Sequence, residues 1–164
     1  MTRLGAVLLC TVFASVIGCD TGKRLSRLEK ENAELKAQVE KDQAARDLDL
    51  QAKCSKDARD WFNENWSRDK DTILLDFTNH YNKSSNSCLI FVEFHYSFGP
   101  STSWVNDMSL WNVYENAKYA QFSERIIIDY KNGGSNNVVT CDVDGTKCTS
   151  ADEFSKLTTP FLTN

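Results

Sequence analysis

Residues 88–98 read Cys-Leu-Ile-Phe-Val-Glu-Phe-His-Tyr-Ser-Phe, a run in which apolar side chains recur at every second position from Ile90 to Phe98. Such alternation is typical of a β-strand with one face against a hydrophobic core. Residues 72–81 alternate in the same way. A turn at residues 84–87 would join the two strands into a hairpin with Tyr81 opposite Ile90 and Phe77 opposite Phe94. This register keeps the apolar side chains on one face, so it is well specified.

The rest of the C-terminal region predicts more strands and one short helix. Ser150-Ala-Asp-Glu153 has the form of a capping box that begins a helix. We therefore predict an α+β fold, in which an antiparallel sheet of about five strands has helices from both ends of the chain covering one face. The further predicted strands are 106–114, 119–130 and 137–143, and the predicted loops are 99–103, 115–118 and 132–135. The alternative for residues 111–122 is a helix.

Four of the six cysteines, Cys54, Cys88, Cys141 and Cys148, follow the first apolar run of the chain. If the chain is exported, an even number predicts two disulfides. A two-residue turn at 144–145 would place Cys141 opposite Cys148, which leaves Cys54 to bond Cys88. Zinc is the competing interpretation. The sequence contains no Cys-x2-Cys pair and no closely spaced pair of histidines, so we predict no metal.

The first apolar run, Leu4–Gly18, follows a short positive segment and contains no charge. It is too short to span a bilayer comfortably and suits the apolar region of a signal peptide. Its end, Val16-Ile17-Gly18-Cys19, resembles the lipobox of bacterial lipoproteins. The resemblance covers about the first twenty residues. It implies cleavage before Cys19, whose sulfur would carry a diacylglycerol and so anchor the chain through fatty acids such as palmitate.

Two further interpretations concern the same segment. Asp20 resembles the residue that retains lipoproteins of enterobacteria-like species in the inner membrane, which would place this chain on the periplasmic face. Other bacterial groups do not share that rule, so the sequence itself predicts attachment to the cell envelope. The alternative is an ordinary cleaved signal peptide in which Cys19 has no role.

A heptad pattern follows the predicted anchor, in a helix predicted from Lys23 to Trp66 with a break or kink near residues 47–52. A single Asn at an a position commonly specifies a parallel dimer, which makes a second copy of the chain a candidate partner. The alternative is a single solvated helix that lifts the domain from the membrane. The domains predicted are a signal peptide at 1–18, a tether and helical stalk at 19–53, and a disulfide-stabilised domain at 54–164. The heptad seam is Leu25, Leu28, Asn32, Leu35 and Val39.

Polar side chains on the outer face of the predicted hairpin form the one candidate site for chemistry. The predicted register places Asp76 opposite His95 and Glu93 opposite Thr78, with His80 nearby. A carboxylate beside an imidazole could act in acid–base catalysis or bind a metal. Such pairs are more often solvated cross-strand contacts, so we predict no catalytic residues here.

The composition limits the function classes. The net charge is −4, and no cluster of Lys and Arg occurs, which argues against a nucleic-acid partner. We expect an envelope lipoprotein that acts as a binding, adaptor or inhibitor module on another envelope protein, without a cofactor and without catalysis of its own. The alternatives are a small envelope enzyme that uses the Asp76/Glu93/His95 face, and a purely structural spacer.

Overall fold

The structure, a computed structural model, describes residues 7–98, 103–128 and 134–163, with side chains described from Thr21 onward. The chain divides into two compact units, one that ends at Arg46 and one that comprises Asp47–Asn164. The second unit contains the sheet and the hydrophobic core.

Helix α1 extends over Val7–Asn65. It is helical through residues 47–52, where the sequence analysis predicted a break or kink. Those residues include neither Gly nor Pro, so no residue there interrupts the helical hydrogen bonds. Within the second unit, the Asp47 carboxylate lies 2.7 Å from Lys83 Nζ and Leu50 packs against core residues, so the unit begins before Cys54. Among the described residues, no helix is both long and apolar enough to cross a bilayer.

An antiparallel sheet follows the helix, with its strands side by side in chain order. The α+β class is confirmed, although the sheet has six strands where about five were predicted. Helix α2 (Ala151–Thr158) and a single 3-10 turn (Thr159–Phe161) follow the sheet. The strands are β1 (Thr72–Asn82), β2 (Ser87–Ser97), β3 (Ser103–Asn112), β4 (Ala117–Ile127), β5 (Ser135–Val143) and β6 (Thr146–Lys147).

The register of the first hairpin differs from the prediction. Tyr81 lies opposite Cys88 and Phe77 opposite Val92, because the four-residue loop comprises residues 83–86 and not 84–87. The loop ends at Asn86, which has a φ of 51°. Asn adopts this left-handed conformation more readily than most residues, so it closes the loop one position earlier than predicted. Starting the loop one residue earlier shifts every partner by two positions, which leaves each side chain on its predicted face.

The second hairpin repeats this turn. Its loop comprises residues 113–116 and ends at Asn116, again with a φ of 51°, where residues 115–118 were predicted. The turn predicted at residues 132–135 falls mostly outside the described residues, and Ser135 belongs to β5. The predicted turn at 144–145 is confirmed, and both of its residues have positive φ.

The two helices cover opposite faces of the sheet, so the prediction that both cover one face is wrong. On β2, Ile90 and Val92 pack in a cluster with Ala58 of α1, whereas Leu89 packs in a cluster with Phe154 of α2. We call these the α1 face and the α2 face. The cause is visible in β2, where residues 88–92 are apolar without interruption. A continuous apolar run is typical of a strand that is buried on both sides.

Both predicted disulfides are confirmed. Cys54 of α1 bonds Cys88 at the start of β2, with their Cα atoms 5.3 Å apart. Cys141 of β5 bonds Cys148 just after β6, with their Cα atoms 5.0 Å apart. The first disulfide lies in the cluster on the α1 face and the second in the cluster on the α2 face.

Candidate functional site

The residues of the predicted polar site share the α2 face of β1 and β2, but the observed register changes their partners. Asp76 lies directly opposite Glu93, and His95 lies opposite Leu74. The predicted pairing of Asp76 with His95 is therefore wrong, for the same reason that the hairpin loop begins one residue early. His80 is four residues along β1 from Asp76, which corresponds to about 13 Å.

This arrangement separates the carboxylate from the imidazole. His95 is a diagonal neighbour of Asp76, and no hydrogen bond or ion pair joins their side chains within the described structure. Asp76 is exposed, and its Oδ1 accepts a hydrogen bond from the Phe77 backbone N–H at 2.8 Å. Asp76 and Glu93 are instead two like charges in directly opposed positions, which is unfavourable for the strand pair. These side chains do not form the acid–base pair that the sequence analysis considered.

A polar row extends from His95 across the α2 face. Asn106 of β3 lies opposite His95, and Glu124 of β4 lies opposite Asn106. The Asn106 Oδ1 is buried and accepts no hydrogen bond within the described structure. The sequence analysis missed Asn106 and Glu124, because only the pairing of β2, β3 and β4 brings them beside His95. No group of three His, Cys, Asp or Glu side chains in the described parts of the chain could hold a metal ion.

His80 stands apart from this row. It lines a cavity of about 250 Å³ together with Gln51, Asn79 and Tyr81. Its Nε2 is buried and has no hydrogen-bond partner in the described structure. His80 lies opposite Leu89, so no charged side chain occupies the position across the strand from it.

A second cluster lies on the α1 face, across β2, β3 and β4. Tyr96 and Arg125 both lie opposite Val105, from the two neighbouring strands. Burial raises the pKa of the Tyr96 hydroxyl, the negative charge of Asp107 raises it further, and the Arg125 guanidinium partly offsets both effects. The Arg125 guanidinium carbon is 4.9 Å from the centroid of the Phe98 ring. The sequence analysis missed this cluster, because its members come from three strands whose pairing the sequence left open.

Aromatic side chains of the second hairpin form another candidate contact surface. Trp104, Trp111 and Tyr119 are half-buried, whereas 43% of Tyr114 is exposed. The Lys53 ammonium lies 4.7 Å from the centroid of the Tyr114 ring. Tyr114 is therefore the aromatic residue of this group that a partner could contact.

The heptad seam forms a separate candidate surface, on the unit that ends at Arg46. Its four apolar members are all exposed: Leu25 by 59%, Leu28 by 55%, Leu35 by 64% and Val39 by 66%. The side chains before Thr21, including the predicted lipidation site Cys19, lie outside the described side chains.

No protein family, no curated protein and no solved structure was found to match this chain. Function is therefore inferred from the residues of this chain alone.

Proposed function

We propose that this chain is a lipid-anchored protein of the bacterial cell envelope whose folded domain acts by binding another envelope component. The observation that carries the proposal is the motif Val16-Ile17-Gly18-Cys19-Asp20, at the end of an apolar run and followed by a charged, Pro-free helix. Cleavage before Cys19 and acylation of its sulfur would attach the chain durably, because two or three acyl chains together resist extraction.

The disulfides support the same compartment. Cys54, Cys88, Cys141 and Cys148 are all paired. Disulfides form and persist in oxidising environments such as the periplasm. This pairing also leaves Cys19 with only Cys10, or a second chain, as a disulfide partner, which favours acylation as its role.

Labelling tests the anchor. Cells that express the full chain are fed a palmitate analogue, and the chain is then extracted with alkaline carbonate and weighed by intact mass spectrometry. We expect label, retention in the membrane, and a mass that reflects loss of residues 1–18 and gain of a diacylglycerol. Cys19→Ser should abolish the label and release the chain from the membrane, whereas Cys10→Ser should change neither. A cleaved, unlabelled and soluble wild-type chain would show instead an ordinary signal peptide.

The proposal places the protein on the periplasmic face of the inner membrane because of Asp20. In an enterobacterial host, fractionation should find the wild-type chain in the inner membrane and Asp20→Ser in the outer membrane. Equal distribution of the two would remove the inner-membrane assignment and leave the envelope attachment intact.

A binding role, and not catalysis, is proposed for the domain because, among the described residues, neither His80 nor His95 forms an ion pair with a carboxylate. Asp76 lies opposite Glu93 and not opposite His95, which supports a binding role over the enzyme alternative. Crosslinking of the full chain in intact cells separates binding from a purely structural spacer. We expect a discrete product with another protein that Tyr114→Ala weakens and that Lys30→Ala, on the stalk, leaves unchanged. Absence of any product would favour the spacer.

A further inference from the structure

Four exposed apolar side chains form one stripe on the helix before Arg46. Leu25, Leu28, Leu35 and Val39 are each more than half exposed, and they recur at the three-and-four spacing of a heptad. Single exposed leucines are ordinary on protein surfaces, but a continuous stripe on one side of a helix normally faces a partner. In the part of this unit that the structure describes, α1 is the only element, so no other element of the unit covers the stripe.

The charges that flank the stripe match a second copy of the chain. In a parallel two-stranded coiled coil, a g residue lies near the e residue five positions later in the other helix. Arg24 would then meet the partner's Glu29, and Glu31 would meet the partner's Lys36. Both contacts join opposite charges.

Some charged residues of this segment form ion pairs within their own helix. Arg27 pairs with Glu31 at 2.8 Å, and Lys30 pairs with Glu34 at 3.9 Å, both at i,i+4 spacing. Among the described residues, Glu29 and Lys36 form no ion pair. The two e positions are therefore free to pair between helices.

Asn32 decides the orientation. In a parallel, in-register dimer the two Asn32 amides face each other and can form a hydrogen bond across the seam. In an antiparallel dimer an a residue faces a d residue, so Asn32 would lie against a leucine of the other helix. A buried amide without a partner costs about 1–3 kcal/mol.

We propose that residues 24–39 pair with the same residues of a second copy of this chain as a parallel, in-register two-stranded coiled coil, with Asn32 against Asn32. Asp42 occupies the next d position, and its charge ends the seam there. The folded domain of each copy follows the coil along the chain. The pairing does not depend on the lipid anchor, although attachment to one membrane would strengthen it by raising the effective concentration.

Disulfide crosslinking of the full chain in membranes tests the pairing and its orientation. Leu28→Cys and Leu35→Cys place a cysteine at two d positions, and Lys30→Cys places one at an f position on the outer side of the same helix. Under mild oxidation we expect both d variants to give a species of twice the mass of the single chain, at a yield at least about fivefold above Lys30→Cys. Each yield is compared with the parent chain, which has no cysteine between residues 24 and 39.

Each outcome decides the proposal. Equal yields at positions 28 and 30 would indicate random collision and overturn the proposal. A low yield at both d positions would overturn it too, because an antiparallel coil or a single helix does not bring identical d positions together. Repeating the measurement with Cys19→Ser in detergent separates this proposal from the anchor, since the yields then depend on the coil alone.

A charge exchange tests the flanking contacts. Lys36→Glu would face the partner's Glu31 and should weaken dimerisation by about tenfold, because two attractive contacts become repulsive. Adding Glu31→Lys to the same chain should restore dimerisation toward the wild-type value. Sedimentation of the detergent-solubilised chain measures both. An unchanged dimer in Lys36→Glu, or no recovery in the double variant, would contradict the proposed contacts.

Discussion

The two faces of the sheet are each covered by one helix and each contain one disulfide, but the helices are held in different ways. On the α1 face, Cys54–Cys88 joins the helix itself to the sheet across a sequence separation of 34. On the α2 face, Cys141–Cys148 spans a separation of 7 and closes a hairpin beside the helix without joining it. The helix that is bonded covalently to the sheet is therefore α1, whose disulfide closes the longer of the two loops.

Helix α2 needs no such bond, because local signals and one buried ring hold it. The Ser150 Oγ accepts a hydrogen bond from the Glu153 N–H at 3.2 Å, and the Glu153 carboxylate accepts one from the Thr149 N–H at 2.8 Å. Phe154 is fully buried, with its ring centroid 6.3 Å from that of Phe91 and 5.6 Å from that of Phe122. Cap and ring together fix a helix of eight residues.

The largest effect is expected from the loss of the helix-to-sheet disulfide. Cys54→Ala with Cys88→Ala should lower the free energy of unfolding by about 4 kcal/mol, because the unfolded chain regains the entropy of a long loop. Urea unfolding followed by tryptophan fluorescence measures the change, with Trp61 and Trp111 as reporters, since their rings lie 5.4 Å apart on the α1 face. If this variant lost less free energy of unfolding than the variant without Cys141–Cys148, the α2 face and not the α1 face would depend more on its disulfide.

The next effect is expected from the ring that holds α2. Phe154→Ala should lower the free energy of unfolding by about 3 kcal/mol, because it leaves a cavity between Phe91 and Phe122. Lys156→Ala in the same helix is the matched control and should change stability by less than about 0.5 kcal/mol, because its side chain is exposed. Chemical denaturation of both variants at one pH gives the values. Equal losses would show that packing of this ring is not what holds α2.

The hairpin disulfide should matter less than the first. Cys141→Ala with Cys148→Ala should cost about 2 kcal/mol, because the closed loop is short and its loss returns little entropy to the unfolded chain. The hairpin also keeps the cross-strand pairs of Asp142 with Lys147 and Val143 with Thr146. Denaturation of the two double-cysteine variants side by side tests the ranking that the sequence separations of 34 and 7 imply.

Much of the fold could be predicted because the decisive signals are local. Alternation identified β1 and β2, the capping box identified α2, and an even cysteine count with a two-residue turn identified both disulfides. The exact register could not be predicted from alternation, which fixes the face of a side chain but not its partner. That information lay in Asn86, whose positive φ closes the loop one residue early. The candidate polar site depended on the register, so its Asp76–His95 pairing failed with it.

The sequence also did not determine how elements that are distant along the chain are placed against one another. Alternation from Ile90 to Phe98 predicted a single buried face for β2, although the uninterrupted apolar run at residues 88–92 is typical of burial on both sides. The periodicity of α1 and α2 alone does not assign each helix to a face. The cluster of Tyr96, Asp107 and Arg125 likewise depends on the pairing of three strands. By contrast, the heptad spacing could be identified from the sequence, because it depends only on positions along one helix. The pairing of two such helices stays a prediction.

The smallest effect concerns the acid stability of the hairpin on the α2 side. A hydrogen bond from the Lys147 ammonium, at 2.9 Å, and one from the Gly145 N–H, at 3.1 Å, hold the pKa of Asp142 below its ordinary value of 3.8. A lowered carboxyl pKa contributes stability that is present above the ordinary value and is lost as the pH falls through the folded-state value.

Asp142→Asn removes this contribution, so the variant should lose less stability than the wild type between pH 6 and pH 2.5. Thermal unfolding at several pH values measures the difference. Asp144→Asn is the matched control, because its carboxylate accepts no hydrogen bond within the described structure and its φ of 47° suits Asn. If Asp144→Asn flattened the pH dependence as much as Asp142→Asn, net charge and not the Lys147 contact would govern the acid response. The hairpin would then depend on its disulfide and its strand pairing, as the α1 face depends on Cys54–Cys88 and packing.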